Sequence, residues 1–234
     1  MNRKKMRFGM KRKNVRNQAA SAESNNRFSY FKLYWLFIFG SLLGVLLEGL
    51  WCLVLYDHWE THVVTVFEPL CVLYGFGMVG CYIGAVVLSD KKLPHRFVAF
   101  VLTGSIIEII CGAILEYGLH MKAWDYSGCF MDFKGYVSLS MSLLWGFLGI
   151  AFSRAVTLID KAFAKMKGGF WHGACAVMSV FLAVDIAVTA MCLVRWSERH
   201  QGIEPSNQIE ILIDRKFDDE MMQKRYIEWR FITE

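Results

Sequence analysis

Acidic side chains interrupt the long apolar stretches of this chain, and they are the residues whose positions could support chemistry. Glu48, Glu108 and Asp185 each have apolar neighbours on both sides. An ionisable group inside an apolar helix is energetically costly, so it normally faces a partner, a cavity or a transport pathway. Carboxylates in that setting can pair with a cation or bind and release a proton.

The apolar stretches themselves predict how these acids are positioned. Hydrophobic residues make up 55% of the chain, and most charges fall between the apolar blocks. A helix of about 20 apolar residues crosses a bilayer core of about 30 Å. The sequence therefore predicts an all-α, polytopic transmembrane helix bundle with about five spans. The predicted spans are Leu33–Tyr56, Val63–Leu88, Phe97–Leu119, Tyr136–Ile159 and Phe170–Val194.

The distribution of Lys and Arg predicts the orientation of the bundle. Residues 1–32 are rich in both, and Glu23 is their only acid. Lys and Arg accumulate in cytoplasmic loops, so we expect a multi-pass protein of the cell membrane with its N-terminus inside. Five spans then place the C-terminus outside.

This topology divides the chain into three expected regions. Residues 1–32 form a basic, disordered cytoplasmic arm, which we expect to attract anionic lipids, because it lacks nucleic-acid reader motifs. Residues 33–194 form the five-span domain, and residues 195–234 form an extracytoplasmic tail. Within that tail, Asp218–Phe231 is expected to be an amphipathic helix, with Met222, Tyr226 and Trp229 in one apolar stripe.

The topology also brings most of the acids to one depth on the outer side, while Glu108 lies mid-membrane. An acidic, aromatic-lined cavity suits a cation, through charge pairing and cation–π contact. Alternatively, the acids are protonated and hydrogen-bonded between helices, and the aromatic residues form an interfacial belt. The expected binding residues are Glu48, Glu68, Glu116, Asp125, Asp185, Trp124 and Tyr126.

Two short motifs recur in the same order along the chain. Gly44–Glu48 matches Gly112–Glu116, and Leu73–Phe76 matches Leu144–Phe147. The order predicts a parallel duplication of spans one and two as spans three and four, as in some transporters. The glutamates that end the first two motifs would then be paired across an axis along the membrane normal.

Motifs for catalysis or nucleotide binding do not occur. The chain has no G-x-x-x-x-G-K-[ST], no G-x-S-x-G and no G-x-G-x-x-G following a strand. Its seven cysteines form no C-x-x-C, and His58, Glu60 and His62 do not form H-E-x-x-H. We therefore expect no catalytic residue, metal or cofactor, and any ATPase would be a separate polypeptide.

Five motifs stand out along the chain: Gly44–Glu48, Glu68–Gly77, Leu115–Tyr117, Trp124–Ser127 and Leu144–Gly146, of which Trp124–Ser127 is the most specific. Together they resemble the CmpB-like family of bacterial ABC-transporter permeases, and the resemblance extends over about Tyr30 to Val194. It implies a multi-spanning bacterial membrane protein and gives no catalytic residues. The chain resembles a divergent member, because Glu68 stands where the family usually has Gly.

These patterns favour a transporter-type component that recognises or conducts a small cationic solute through an outward-facing acidic and aromatic site. Its expected partners are the lipid bilayer, the solute and a separate ATPase or other membrane subunit, but no nucleic acid. One alternative is a non-catalytic membrane partner or assembly subunit that docks through Trp196–Glu234. Another is a membrane enzyme that acts on lipid or cell-wall substrates with a buried carboxylate as base.

Overall fold

A computed structural model of the chain describes residues 28–59 and 63–232. Most of the expected N-terminal arm, together with Glu60 and His62, lies outside the described residues. The predicted all-α fold is confirmed. The helices are α1 (Tyr30–Tyr56), α2 (Val72–Val87), α3 (Leu93–Leu119), α4 (Leu139–Lys165), α5 (Gly169–His200), α6 (Gln208–Lys216) and α7 (Asp219–Arg225), and β1 (Met121–Lys122) pairs antiparallel with β2 (Arg230–Phe231).

Four of these helices, α1, α3, α4 and α5, are long and apolar enough to cross a membrane. Their outward-facing side chains include Val54, Phe147 and Val177, which are 80%, 65% and 70% exposed. Such surfaces are expected where helices face lipid rather than water. The chain is therefore a multi-pass membrane protein.

The second apolar helix is shorter than the sequence predicts. It begins at Val72 instead of Val63 and has 16 residues. Residues 63–71 form a non-helical segment that contains Pro69. Proline has no N–H and disfavours helical geometry in the residue before it, so the helix starts after Pro69.

Side chains of α5 hold this non-helical segment by its backbone. The N–H groups of Phe67 and Glu68 donate to the Asp185 carboxylate at 3.2 and 3.1 Å. The Val66 N–H donates to Thr189 Oγ1 at 2.8 Å. Irregular backbone in a membrane protein needs such partners, because lipid offers no hydrogen bonds. Asp185, a predicted binding residue, thus positions the entry to α2.

The C-terminal tail holds the same segment through its carbonyl groups. Arg225 donates to the backbone oxygens of Thr65 and Glu68, each at 2.7 Å. The Tyr226 hydroxyl donates to the Val64 oxygen at 2.9 Å. The tail and residues 63–71 therefore lie on the same face of the bundle.

The tail differs from the predicted amphipathic helix. Helix α7 ends at Arg225, so the expected helix over Asp218–Phe231 is wrong beyond that residue. The apolar stripe Met222, Tyr226 and Trp229 is buried in one cluster with Trp196 of α5. The stripe packs against the protein because the end of α5 offers a matching apolar surface.

Ion pairs fix α6 to the end of α5. The side chain of Arg195, 3% exposed, donates to Asp214 at 2.7 Å, and Arg199 contacts the same carboxylate at 2.5 Å. Arg195 holds the pKa of Asp214 below its usual value, and Arg199 adds to this effect. Ionised Asp214 therefore stabilises the docked tail.

Glycines let the helices of each consecutive pair approach closely. A Cβ added at Gly44 of α1 would overlap the ring of Tyr74 on α2. A Cβ added at Gly104 of α3 would overlap the ring of Trp145 on α4. Small residues at such contacts are typical of membrane helix packing. The α1/α2 and α3/α4 pairs thus have the same type of contact, in which an aromatic ring of one helix packs on a glycine of the other.

Asp214→Asn should loosen the tail, because it leaves the buried Arg195 without its main counter-charge. Breaking such a pair costs about 2–4 kcal/mol, so the opening free energy of residues 208–232 should fall by that amount in hydrogen exchange. Asp219→Asn is the control: the Asp219 side chain is 67% exposed, so its loss should change that free energy by about 0–1 kcal/mol.

The Asp214 contribution should also depend on pH in a defined direction. Since the folded pKa is lowered, the stabilisation is complete above the unfolded value of about 3.9. It is lost as the pH falls through the lower folded pKa. Equal losses in Asp214→Asn and Asp219→Asn, or an acid response unchanged by Asp214→Asn, would contradict this assignment.

Gly104→Ala should destabilise the bundle, because its methyl group forces Trp145 to move. Overpacking of this kind costs about 1–3 kcal/mol. The matched control is Gly118→Ala on the same helix, where an added Cβ meets nothing within 4 Å. Denaturation of the detergent-solubilised variants should separate the two, and equal stabilities would show that the contact is not tight.

Candidate functional site

Each of the two helix pairs contains a carboxylate that accepts a hydrogen bond from an aromatic side chain. The Tyr74 hydroxyl on α2 donates to Glu48 Oε2 on α1. Trp145 Nε1 on α4 donates to Glu108 Oε1 on α3 at 3.0 Å. A hydrogen bond to an ionisable carboxyl group is among the stronger kinds in proteins. These bonds join α1 to α2 and α3 to α4.

The glycines described above place both aromatic donors. Gly44 lies four residues before Glu48, and Gly104 lies four residues before Glu108. Residues four apart share a helix face, so a ring that packs on the glycine can direct its polar atom to the glutamate. The sequence pattern Gly-x-x-x-Glu thus provides a flat packing surface and an acceptor in one helical turn.

Further contacts follow the same pattern in both pairs. A Cβ at Gly75, next to Tyr74, would meet Phe37 of α1, whereas a Cβ at Gly146, next to Trp145, would meet Phe97 of α3. Phe37 precedes Gly44 by the same spacing as Phe97 precedes Gly104. The contacts therefore support the predicted duplication but correct its register, since Glu48 corresponds to Glu108 and not to Glu116.

The loop between α3 and α4 carries the Trp-Asp-Tyr-Ser motif and is held by its own side chains. Trp124 Nε1 donates to the Tyr136 oxygen at 2.8 Å, and the Tyr126 N–H donates to the Gly135 oxygen at 2.9 Å. Gly135 has a φ of 73°, which glycine adopts without strain. The motif thereby fixes the backbone on both sides of Tyr126.

Asp125 serves the same loop. Its carboxylate accepts hydrogen bonds from the Ser127 N–H at 2.9 Å and from Lys122 Nζ at 3.0 Å. Ser127 and then Lys122 lower the pKa of Asp125 to about 2. Asp125 is therefore ionised at neutral pH, and its exposed side chain adds negative charge to the loop.

Tyr126 is the residue of this loop that interacts electrostatically with Glu48 and Glu108. Burial raises the pKa of the Tyr126 phenol, and the nearby carboxylates of Glu108 and Glu48 raise it further. The phenol is therefore neutral at physiological pH. One aromatic side chain of the loop thus lies within electrostatic reach of both equivalent glutamates.

The remaining predicted residues have other neighbours. Glu68 lies close to Asp185 and interacts with it electrostatically, and Glu68 Oε2 is buried without a hydrogen-bond partner among the described residues. Glu116 lies beside Tyr136, the residue whose backbone Trp124 holds. The predicted binding residues therefore do not form one group. Glu48 contacts α2, Glu68 and Asp185 lie in or beside residues 63–71, and the others lie in or beside the α3–α4 loop.

Sequence reasoning did not include Glu108, Tyr74 or Trp145 in the predicted binding set. Their signals were present, since Glu108 follows Gly104 in a Gly-x-x-x-Glu pattern, and both aromatic donors lie in the recurring Leu-aromatic-Gly-Phe motif. What the sequence did not give was the pairing of these motifs between helices. Within residues 28–59 and 63–232, no three His, Cys, Asp or Glu side chains are grouped as metal ligands.

Comparison with known proteins identifies the family to which this region belongs. The family described as "Putative ABC-transporter type IV", of the CmpB type, matches residues 35–190. The matched region contains Glu48, Glu108, both aromatic donors and Tyr126, and it ends before the tail. No curated protein and no solved structure matches the chain. Because the match covers most of its length, the chain belongs to this family of ABC-transporter-type membrane proteins.

Proposed function

We propose that this transporter-type membrane protein recognises a small cation at the Glu48 carboxylate, near the side chain of Tyr126. The observation that carries the proposal is the position of Tyr126, a loop residue within electrostatic reach of the carboxylates of two helices. A loop side chain in that position can contact a solute that approaches from the loop side.

The chemistry of these groups favours a cation over other solutes. A carboxylate supplies the counter-charge, and a neutral phenol supplies an oxygen ligand and a ring face for cation–π contact. An anionic solute would meet only like charge at Glu48. The hydroxyl of Tyr74 donates a hydrogen bond to Glu48 and so orients its carboxylate.

The other predicted acids have supporting roles in this proposal. Glu68 and Glu116 raise the local cation concentration at the approach to Glu48, while Asp185 positions the backbone of residues 63–71. Trp124 and Asp125 form the rim, because they shape the loop that carries Tyr126. Charge of one sign in a cleft attracts the opposite ion.

The orientation and energy source are part of the same proposal. The concentration of Lys and Arg in residues 1–32 supports an orientation with the N-terminus in the cytoplasm and with the Tyr126 loop and the tail outside. The chain has no nucleotide-binding motif. A separate polypeptide therefore supplies the ATPase in any ATP-driven cycle.

Glu48→Gln should abolish cation recognition without unfolding the protein, because glutamine retains an acceptor for Tyr74. Uptake of methylammonium and of sodium into right-side-out membrane vesicles should fall about tenfold or more, which corresponds to about 1.4 kcal/mol of lost interaction. Tyr126→Phe should weaken uptake to a smaller extent, because the ring remains.

The matched control is Glu204→Gln, which removes an exposed carboxylate of the tail and should leave uptake unchanged. Wild-type uptake that Glu48→Gln and Tyr126→Phe both leave intact would contradict the proposal. Uptake restricted to inside-out vesicles would contradict the assigned orientation.

A further inference from the structure

Glu108 is a carboxyl group that cation recognition at Glu48 does not explain. Glu108 is 5% exposed and lies in the middle of α3. Oε1 accepts the hydrogen bond from Trp145 at 3.0 Å, whereas Oε2 is buried and has no hydrogen-bond partner within the described residues. One half of this group is therefore paired and the other half is not.

Among the residues that the structure describes, none places a positive charge beside Glu108. The titratable groups that face it are Cys111 on its own helix and Tyr126 from the α3–α4 loop. Helix α4 presents the neutral N–H of Trp145, and α2 contributes Gly77, on which that indole packs. Glu108 makes no ion pair with any described Lys, Arg or His. A buried carboxylate without a counter-ion is far less stable than the neutral acid.

We infer that Glu108 is a proton-binding site and that it carries a proton at neutral pH. The proton lies on Oε2, and Oε1, as the carbonyl oxygen of the acid, accepts from Trp145. On release, the O–H bond of Oε2 breaks, the proton passes to water and the carboxylate remains. Glu108 is thus the uncharged counterpart of Glu48 in the duplicated arrangement.

The position of Tyr126 links the proton on Glu108 to the proposed cation site. Tyr126 is within electrostatic reach of both Glu108 and Glu48. A cation that binds at Glu48, near Tyr126, stabilises the anionic form of Glu108, so binding of the cation releases the proton. This exchange of cation for proton rests on the proposed cation site, whereas protonation of Glu108 in the empty protein does not.

Infrared spectroscopy of the full chain in lipid bilayers tests the inference, because a protonated carboxylic acid has a carbonyl stretching band that a carboxylate lacks. At neutral pH the wild type should show this band, and Glu108→Gln should lose a component that Glu116→Gln retains. Trp145→Phe should shift the same component to higher frequency, because the hydrogen bond to Oε1 is removed.

The Trp145→Phe shift provides the test if Glu108→Gln fails to assemble. A wild-type spectrum without the band, or a band that neither variant alters, would overturn the inference. Methylammonium should also reduce the Glu108 band in wild type but not in Glu48→Gln. A persistent band without that response would contradict the coupling and the cation site, but it would leave the proton site in place.

Discussion

A carboxyl group within a bilayer needs a hydrogen-bond donor, and in this protein an aromatic side chain from the next helix supplies it. Tyr74 donates to Glu48 and Trp145 donates to Glu108. Each donor joins two consecutive helices, so the same bond that satisfies the acid also fixes the packing of the pair. The glycine one turn before each glutamate is required because the donor ring occupies the space of its side chain.

The same requirement explains the irregular part of the bundle. The backbone N–H and C=O groups of residues 63–71 lie outside α2, so the helix does not pair them. Side chains supply their hydrogen bonds instead, and these belong to Asp185, Thr189 and Arg225. The tail therefore helps to stabilise this segment, since it supplies hydrogen-bond donors to the segment's carbonyl groups. A chain with an unpaired segment of this kind would be unstable in lipid.

Much of the fold could be predicted from the sequence, because hydrophobic length and the position of charges depend on local composition. The path of the non-helical segment before Pro69 could not, since its backbone N–H groups need the Asp185 carboxylate, which lies far away in the chain. The apolar stripe of the tail could be predicted from its spacing, but its packing against Trp196 could not, because that contact joins the tail to the end of α5. Of the residues in the candidate site, Glu48 and Tyr126 belong to the predicted binding set. Glu108 does not, because the repeat was matched to Glu116 and not to the register that the helix contacts support.

Double-mutant cycles on the two carboxylate–aromatic pairs test the shared design most directly. Glu48→Leu is combined with Tyr74→Phe, and Glu108→Leu with Trp145→Phe, and the free energy of unfolding is measured in detergent or bilayers. Each cycle should give a coupling energy of about 1 kcal/mol or more. A coupling near zero in either pair would contradict the conclusion that equivalent hydrogen bonds hold both halves of the bundle.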